Sequence, residues 1–243
     1  IDIMIGNVVG SNIANVGLVL ACSAILAPLA VHIKVLKTEL YLLLSISLIV
    51  AVICWFGTFY RILGIMFIAG LILYTYLAYH DVRNHRVKEE ELQGKKFSYW
   101  ILLCLIVGGL VLLALGADFF IDGAVDMARY FGVSELVIGL TLAAVGTSLP
   151  ELASCISAAR RKESDMIVGN VIGSNLFNLM MVFGTTAAVM PFHLERQLLC
   201  RDLPVMIAFS AVLVPCLVLW QGVRRWHGVL LLCCYLGYLY TLL

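Results

Sequence analysis

Charge is what this sequence lacks most. Only 13% of its 243 residues are Asp, Glu, Lys or Arg, about half of the roughly 25% that a soluble domain carries, so water is not its main solvent. Proline is also scarce, at five residues. Pro28 and Pro191 fall just past the ends of two apolar runs, where a residue without an N–H can end a helix cheaply. The eight cysteines lie mostly inside apolar runs, without the paired spacing of a zinc site or a disulfide scaffold, and read as buried thiols. No basic stripe accompanies the net charge of +1, so nucleic acid is not an expected partner. Neither a Ser-His-Asp order nor a metal-chelating His pair is present, which argues against an enzyme, and no cofactor is expected. The five histidines fall near apolar-run edges and read as interfacial. Ile1-Asp2 carries no leader-like basic region, and apolar sequence begins at once, so the chain reads as a fragment.

What fills the sequence is hydrophobic residue, 63% of the total. It comes in blocks long enough to cross a hydrocarbon layer of roughly 30 Å as helix. Hydropathy predicts eight spans, at about 4–27, 39–58, 61–79, 99–118, 134–159, 166–190, 203–221 and 226–243. The one strongly hydrophilic stretch, 80–98, is a linker between a first half (1–79, three spans) and a second half (99–243, five spans). With alternate connections placed on opposite sides, twelve of the sixteen Lys and Arg fall on the linker's side and four on the other. The excess marks the linker as cytoplasmic, in a multi-pass protein of the plasma or inner membrane. Tyr74, Tyr76, Tyr79, Tyr99 and Trp100 flank the linker, and Trp220 and Trp226 flank the last turn, as interfacial belts do.

The chain repeats itself. DIMIGNVVGSNIAN at Asp2 to Asn15 aligns without a gap to DMIVGNVIGSNLFN at Asp165 to Asn178, at an offset of 163 residues. Five connections separate the copies, an odd number, so the second enters the membrane from the opposite face and the repeat is inverted. Gly6 and Gly10, like Gly169 and Gly173, form G-x-x-x-G, which by itself needs no more than close helix packing. Ser11 and Asn15, like Ser174 and Asn178, are i, i+4 pairs that offer oxygens from one helix face. Interhelical hydrogen bonding explains one such pair; two inverted copies argue for a site.

Just before the second copy stands GTSLPE, Gly146 to Glu151. Glu151 is the only acid between Leu136 and Ala159, and an ionisable group at that depth costs several kcal/mol without a partner. Pro150 has no N–H and crowds the turn before it, so the helix is expected to distort near Gly146 and Thr147 and free backbone carbonyls. Carboxylate, hydroxyls of Thr147 and Ser148, and loosened carbonyls make an all-oxygen set suited to hard cations such as Ca²⁺ and Na⁺. The alternative is a protonated Glu151 hydrogen-bonded to a neighbouring helix. Asp118, Asp122 and Asp126, at i, i+4 and i+8, either gather cations at an entrance or form a solvated helix end.

At these residues the chain resembles the cation/calcium exchanger superfamily, whose two repeats each carry a G-T-S-x-P-E helix followed by a G-N-x-x-G-S-N-x-x-N helix. Gly146 to Glu151 and Gly169 to Asn178 match the second repeat, and Gly6 to Asn15 match the second helix of the first. The resemblance implies an all-α integral membrane fold, a sodium/calcium exchanger-like inverted-repeat bundle of which this N-terminally truncated chain supplies eight of ten helices. It implies as cation ligands Glu151, Thr147, Ser148, Ser174 and Asn178 from the second repeat, Ser11 and Asn15 from the first, and a carbonyl of Ala144. The carboxylate that would face Glu151 belongs to a helix not in the sequence. The implied activity is antiport of Ca²⁺ against Na⁺ or H⁺ by alternating access, with inorganic cations and the bilayer as partners. The rival readings are antiport of another cation pair and a transport-inactive scaffold.

Overall fold

The computed structural model describes residues 2–84, 99–132, 141, 144–194 and 196–242. Nearly all of them are helical, as long apolar runs in lipid require, because only intrahelical hydrogen bonds satisfy every backbone group there. Helix α1 (Asp2–Ala14) passes through a π-helical segment, Asn15–Leu20, into α2 (Ala21–Leu26) as one span. A two-residue strand, β1 (Leu29–Ala30), leads to α3 (Ile33–Phe56) and α4 (Arg61–Asn84). Helix α5 (Tyr99–Tyr130) opens the second half, followed by a short α6 (Ala144–Thr147) and α7 (Leu149–Arg160). Then α8 (Ser164–Phe177) runs through a second π segment, Asn178–Val182, into α9 (Phe183–Val189). Helix α10 (Leu203–Val214) lies between π segments Leu198–Asp202 and Pro215–Leu219, and strand β2 (Gly222–Val223) precedes α11 (Arg225–Leu242).

The correspondence between the repeats extends through both halves, the offset growing by one residue, to 164, by Phe59 and Val223. The π segments begin at Asn15 and Asn178, each the last residue of its motif. Leu29 of β1 pairs with Val223 of β2, and its counterpart Phe192 forms a bridge with Phe59. Helix α4 packs on α9 just as α11 packs on α2. Gly64 marks the first crossing, where an added Cβ would lie 2.7 Å from the Ala188 amide nitrogen; Gly228 marks the second, 2.7 Å from the Ala21 carbonyl oxygen. Both crossings therefore require a missing side chain. In the motif itself, by contrast, a Cβ at Gly173 would meet nothing within 4 Å and one at Gly169 would make only ordinary contact with Leu36, so these glycines are not close-packing positions here.

Among the described residues, six helical spans are long and apolar enough to cross a membrane, against the eight expected over the whole chain. The expected span 226–243 is the 18-residue α11. The span 134–159 falls partly outside the described residues and is otherwise broken between α6 and α7. Helix α5 runs to Tyr130, well past the expected end at 118, carrying Asp118, Asp122 and Asp126 exposed on its extension. The linker 80–98 begins inside α4, which continues to Asn84; residues 85–98, His85 among them, lie outside the described residues.

Burial corrects one expectation. Cys54, Cys155 and Cys216 are buried and Cys22 is partly so, but Cys104, Cys200, Cys233 and Cys234 lie on the outer surface. An apolar run in a membrane helix faces lipid as readily as protein, so hydrophobic surroundings in sequence do not mean burial. The most apolar 18 residues of the α1–α2 span are 83% buried, and those of α5 are 0% buried. His32, read as merely interfacial, receives a specific partner: its backbone N–H and Nδ1 meet the two Asp165 carboxylate oxygens at 2.8 and 2.9 Å, tying the start of α3 to that of α8.

Candidate cation site

Helices α1 and α8, which carry the two copies of the motif, meet at equivalent residues. Asn12 and Asn175, related by the offset of 163, are 1% and 0% exposed. Asn175 Nδ2 donates to the Asn12 carbonyl oxygen at 3.3 Å, and Asn15 Nδ2 donates to Asn175 Oδ1 at 2.9 Å. Asn12 Nδ2 donates back to the Val8 carbonyl at 2.7 Å. Equivalent residues touch only near a two-fold axis, so the pseudo-symmetry axis of the inverted repeat passes through this asparagine cluster.

The broken helix supplies the second wall. Ser148 sits between α6 and α7 at φ −95°, ψ −1°, its N–H bonded to the Val145 carbonyl three residues back and not to that of Ala144, and Pro150 in the first turn of α7 offers no N–H to the Gly146 carbonyl. The expected distortion is therefore present, one residue after Thr147. Gly146 is needed for a different reason: a Cβ there would collide with the Ile121 side chain of α5. The break places Thr147 Oγ1 within 2.8 Å of Ser11 Oγ on α1, a shared hydrogen bond between residues 136 apart in sequence. Asn7 Oδ1 lies 3.5 Å from both hydroxyls and accepts from whichever of them does not donate to the other. Helix α7, with Glu151 in its first turn, packs on the π segment that begins at Asn15.

Four buried oxygens here have no hydrogen-bond partner: Asn12 Oδ1, Asn15 Oδ1, Ser148 Oγ and Glu151 Oε2. Buried polar atoms are ordinarily paired, and each unpaired one costs about 1–3 kcal/mol. Neither Asp2–Leu26, Ala144–Ala159 nor Ser164–Val189 contains a Lys, Arg or His, so no protein cation compensates Glu151 from these helices. Unpaired oxygens on elements that carry one carboxylate and no basic residue suit a hard cation. Among the described residues no group of three or more His, Cys, Asp and Glu is placed to hold a metal ion. The candidate ligands among the described residues are thus hydroxyl and amide oxygens and a single carboxylate.

The structure joins Ser11 to Thr147 directly and sets Asn15, Ser148 and Glu151 on the elements packed around that contact. Ser174 and Asn178 stand half-buried on α8 and its π continuation, with no side-chain hydrogen bond to the others among the described residues. Ala144 opens α6. Sequence reasoning passed over Asn7, Asn12 and Asn175 within the quoted motif. It also missed two intramembrane carboxylates: Glu39 accepts from Tyr74 Oη at 3.4 Å, and Asp202, its counterpart by the same offset, accepts from Tyr238 Oη at 2.9 Å. Applying the repeat offset to every polar residue, not only to the motif, would have found this pair.

The sequence profile of the sodium/calcium exchanger protein family matches residues 1–80 and 101–243. The putative antiporter CaxA of Alkalimonas amylolytica is 34% identical over all of this chain and 79% of its own length. The sodium/calcium exchanger MaX1 of Methanosarcina acetivorans is 33% identical, over 99% of this chain and 80% of its own. In three dimensions the chain resembles the sodium-calcium exchanger NCX_Mj soaked with zero Na⁺ and Ca²⁺, with a TM-score of 0.81, 32% identity, and coverage of 98% of this chain and 76% of that one.

Proposed function

We propose, from the premise that this chain belongs to the sodium/calcium exchanger protein family, that it moves Ca²⁺ across the membrane in exchange for Na⁺ or H⁺. The observation that carries this reading is four unpaired buried oxygens, two on α1 and its π continuation and two at the broken helix, one of them on the Glu151 carboxylate, with no basic residue on these elements. In this reading Glu151, Thr147, Ser148, Ser11, Asn15, Ser174, Asn178 and the Ala144 carbonyl form the cation-binding set. Glu151 is its charged member; the hydroxyl and amide oxygens replace hydration water and hold the ion by dipole alone.

In this reading the set lies near the pseudo-two-fold axis, and the mechanism follows from that position. A site shared by two inverted halves faces one side when one half has moved and the other side when its counterpart has, which is alternating access. The Ser11–Thr147 bond joins α1 of the first half to the broken helix of the second, so cation binding there couples directly to the fit between the halves. The unpaired oxygens disfavour an empty, closed site, and a bound cation relieves that cost, so occupancy favours closure. Each net elementary charge moved per cycle couples exchange to the membrane potential by about 2.3 kcal/mol per 100 mV.

The test is Ca²⁺ uptake into vesicles reconstituted with the protein as encoded, including any residues that precede Ile1. An outward Na⁺ gradient and a pH gradient are applied separately, with Glu151→Gln as control. Uptake driven by one gradient and lost in Glu151→Gln supports the reading and names the counter-ion. Uptake under neither gradient, or equal uptake by the variant, overturns it.

A further inference from the structure

Helices α10 and α11 enclose a groove of about 340 Å³ whose walls, including Phe209, Val212, Cys216, Leu230, Leu231 and Cys234, are wholly apolar. That size is at the lower end of small-molecule sites, roughly 300–1,000 Å³. At its mouth stand Trp220, Trp226 and His227. The Trp220 ring stacks on His227 at 4.5 Å, and Trp226 lies 3.7 Å from it at 44°. Tryptophans at the turn between two spans mark the level of lipid headgroups.

His227 is 4% exposed, and its Nδ1 accepts the Arg224 backbone N–H at 3.0 Å. An accepting Nδ1 leaves the neutral ring's proton on Nε2, and that buried atom has no partner. Nε2 is covered, so no polar atom opens into the groove itself, and the polar groups nearest to it are the charged side chains outside its mouth. Arg224 and Arg225, both exposed beside it, form no ion pair among the described residues, and residues 203–243 contain no Asp or Glu. By the 164-residue correspondence that relates Gly64 to Gly228, the positions matching Arg224 to His227 are Tyr60, Arg61, Ile62 and Leu63. The His-Trp-Arg arrangement therefore belongs to one half and is not imposed by the pseudo-symmetry.

We propose that this groove binds an anionic phospholipid, with an acyl chain between α10 and α11 and the phosphate held by Arg224 and Arg225. The occupant must be apolar at one end and an anionic acceptor at the other, and phospholipid has both in the order in which the groove presents its walls and its charge. By the excess of basic residues on this side, the lipid comes from the cytoplasmic leaflet, whose anionic headgroups attract such arginines.

The test is native mass spectrometry of the delipidated protein titrated with phosphatidylglycerol or with phosphatidylcholine of the same chains. One phosphatidylglycerol is expected to be retained at several-fold lower concentration than phosphatidylcholine. The double variant Arg224→Ala/Arg225→Ala should bring that ratio close to one. Val212→Trp, which fills the groove, should abolish the tight adduct, while Leu236→Trp, on α11 but not lining the groove, should leave it unchanged. Equal retention of the two lipids by the unmodified protein, or a ratio unmoved by the arginine variant, overturns the proposal. A dimer that Val212→Trp dissolves also overturns it, assigning the groove to a second copy of the chain.

Discussion

Asn15 Nδ2 donates a 2.9 Å hydrogen bond to Asn175 Oδ1, so a side chain from one repeat is held by a side chain of the other beside the axis that relates them. Asn175→Leu removes that acceptor and the donor to the Asn12 carbonyl, leaving the buried Asn15 amide without a partner. An intramembrane hydrogen bond contributes about 1 kcal/mol, and an orphaned buried donor adds to the loss. The variant is expected to unfold at lower temperature than the parent in the same detergent, and an unchanged Tm would show that the cluster does not hold the halves together.

Ser11 and Thr147 share one hydrogen bond at 2.8 Å across the two halves. If both hydroxyls contribute to a single cation shell, Ser11→Ala and Thr147→Val each raise the KM for the transported cation. The double variant should then be less impaired than the two effects multiplied, because residues in contact are not additive. Strict multiplicativity in flux assays would place the two hydroxyls in separate environments.

The close crossings give a structural control. Gly228→Val places side-chain atoms against the Ala21 carbonyl, whereas a Cβ at Gly237, further along α11, meets nothing within 4 Å. Expression and size-exclusion profiles should deteriorate for Gly228→Val and stay unchanged for Gly237→Ala. Gly64→Val, at the counterpart crossing of α4 and α9, should reproduce the Gly228 defect.

The two tyrosine–carboxylate pairs differ in tightness. Asp202 is 2% exposed and is also bonded by its neighbour Arg201 at 2.8 Å, whereas Glu39 is only half-buried and its bond to Tyr74 is 3.4 Å long. Tyr238→Phe should therefore destabilise the protein by about 1–2 kcal/mol, as loss of a hydrogen bond to a charged group does, and Tyr74→Phe by less. Thermal unfolding of the two variants side by side checks the order.

Much of the architecture was legible before any coordinates. Runs such as 61–79 announce themselves because lipid leaves a backbone no choice but helix, and the GNVVGSN and GNVIGSN copies reveal the inverted halves because the offset is free of gaps. The break at Ser148 followed from Pro150, since a missing N–H acts on the turn before it whatever surrounds it. The candidate ligands Ser11 and Thr147 could be picked out singly as oxygens in apolar runs, but their 2.8 Å contact joins parts of the chain that no local rule connects.

What the sequence determined by itself is whatever depends on near neighbours along the chain and on the choice between water and lipid: helical class, inversion of the repeat, the helix break and the chemical type of the site. The tertiary structure decided which apolar faces touch protein and which touch lipid, and so which cysteines are buried. It also decided that Asn12 meets Asn175 on the axis, and that Gly64 and Gly228, not Gly173, permit the closest approaches. The reason is physical: a leucine facing lipid and a leucine facing another helix are equally content, so the hydropathy that places a helix in the membrane carries no signal for its rotation there. Only packing, hydrogen bonds and the missing side chains at the crossings choose that rotation.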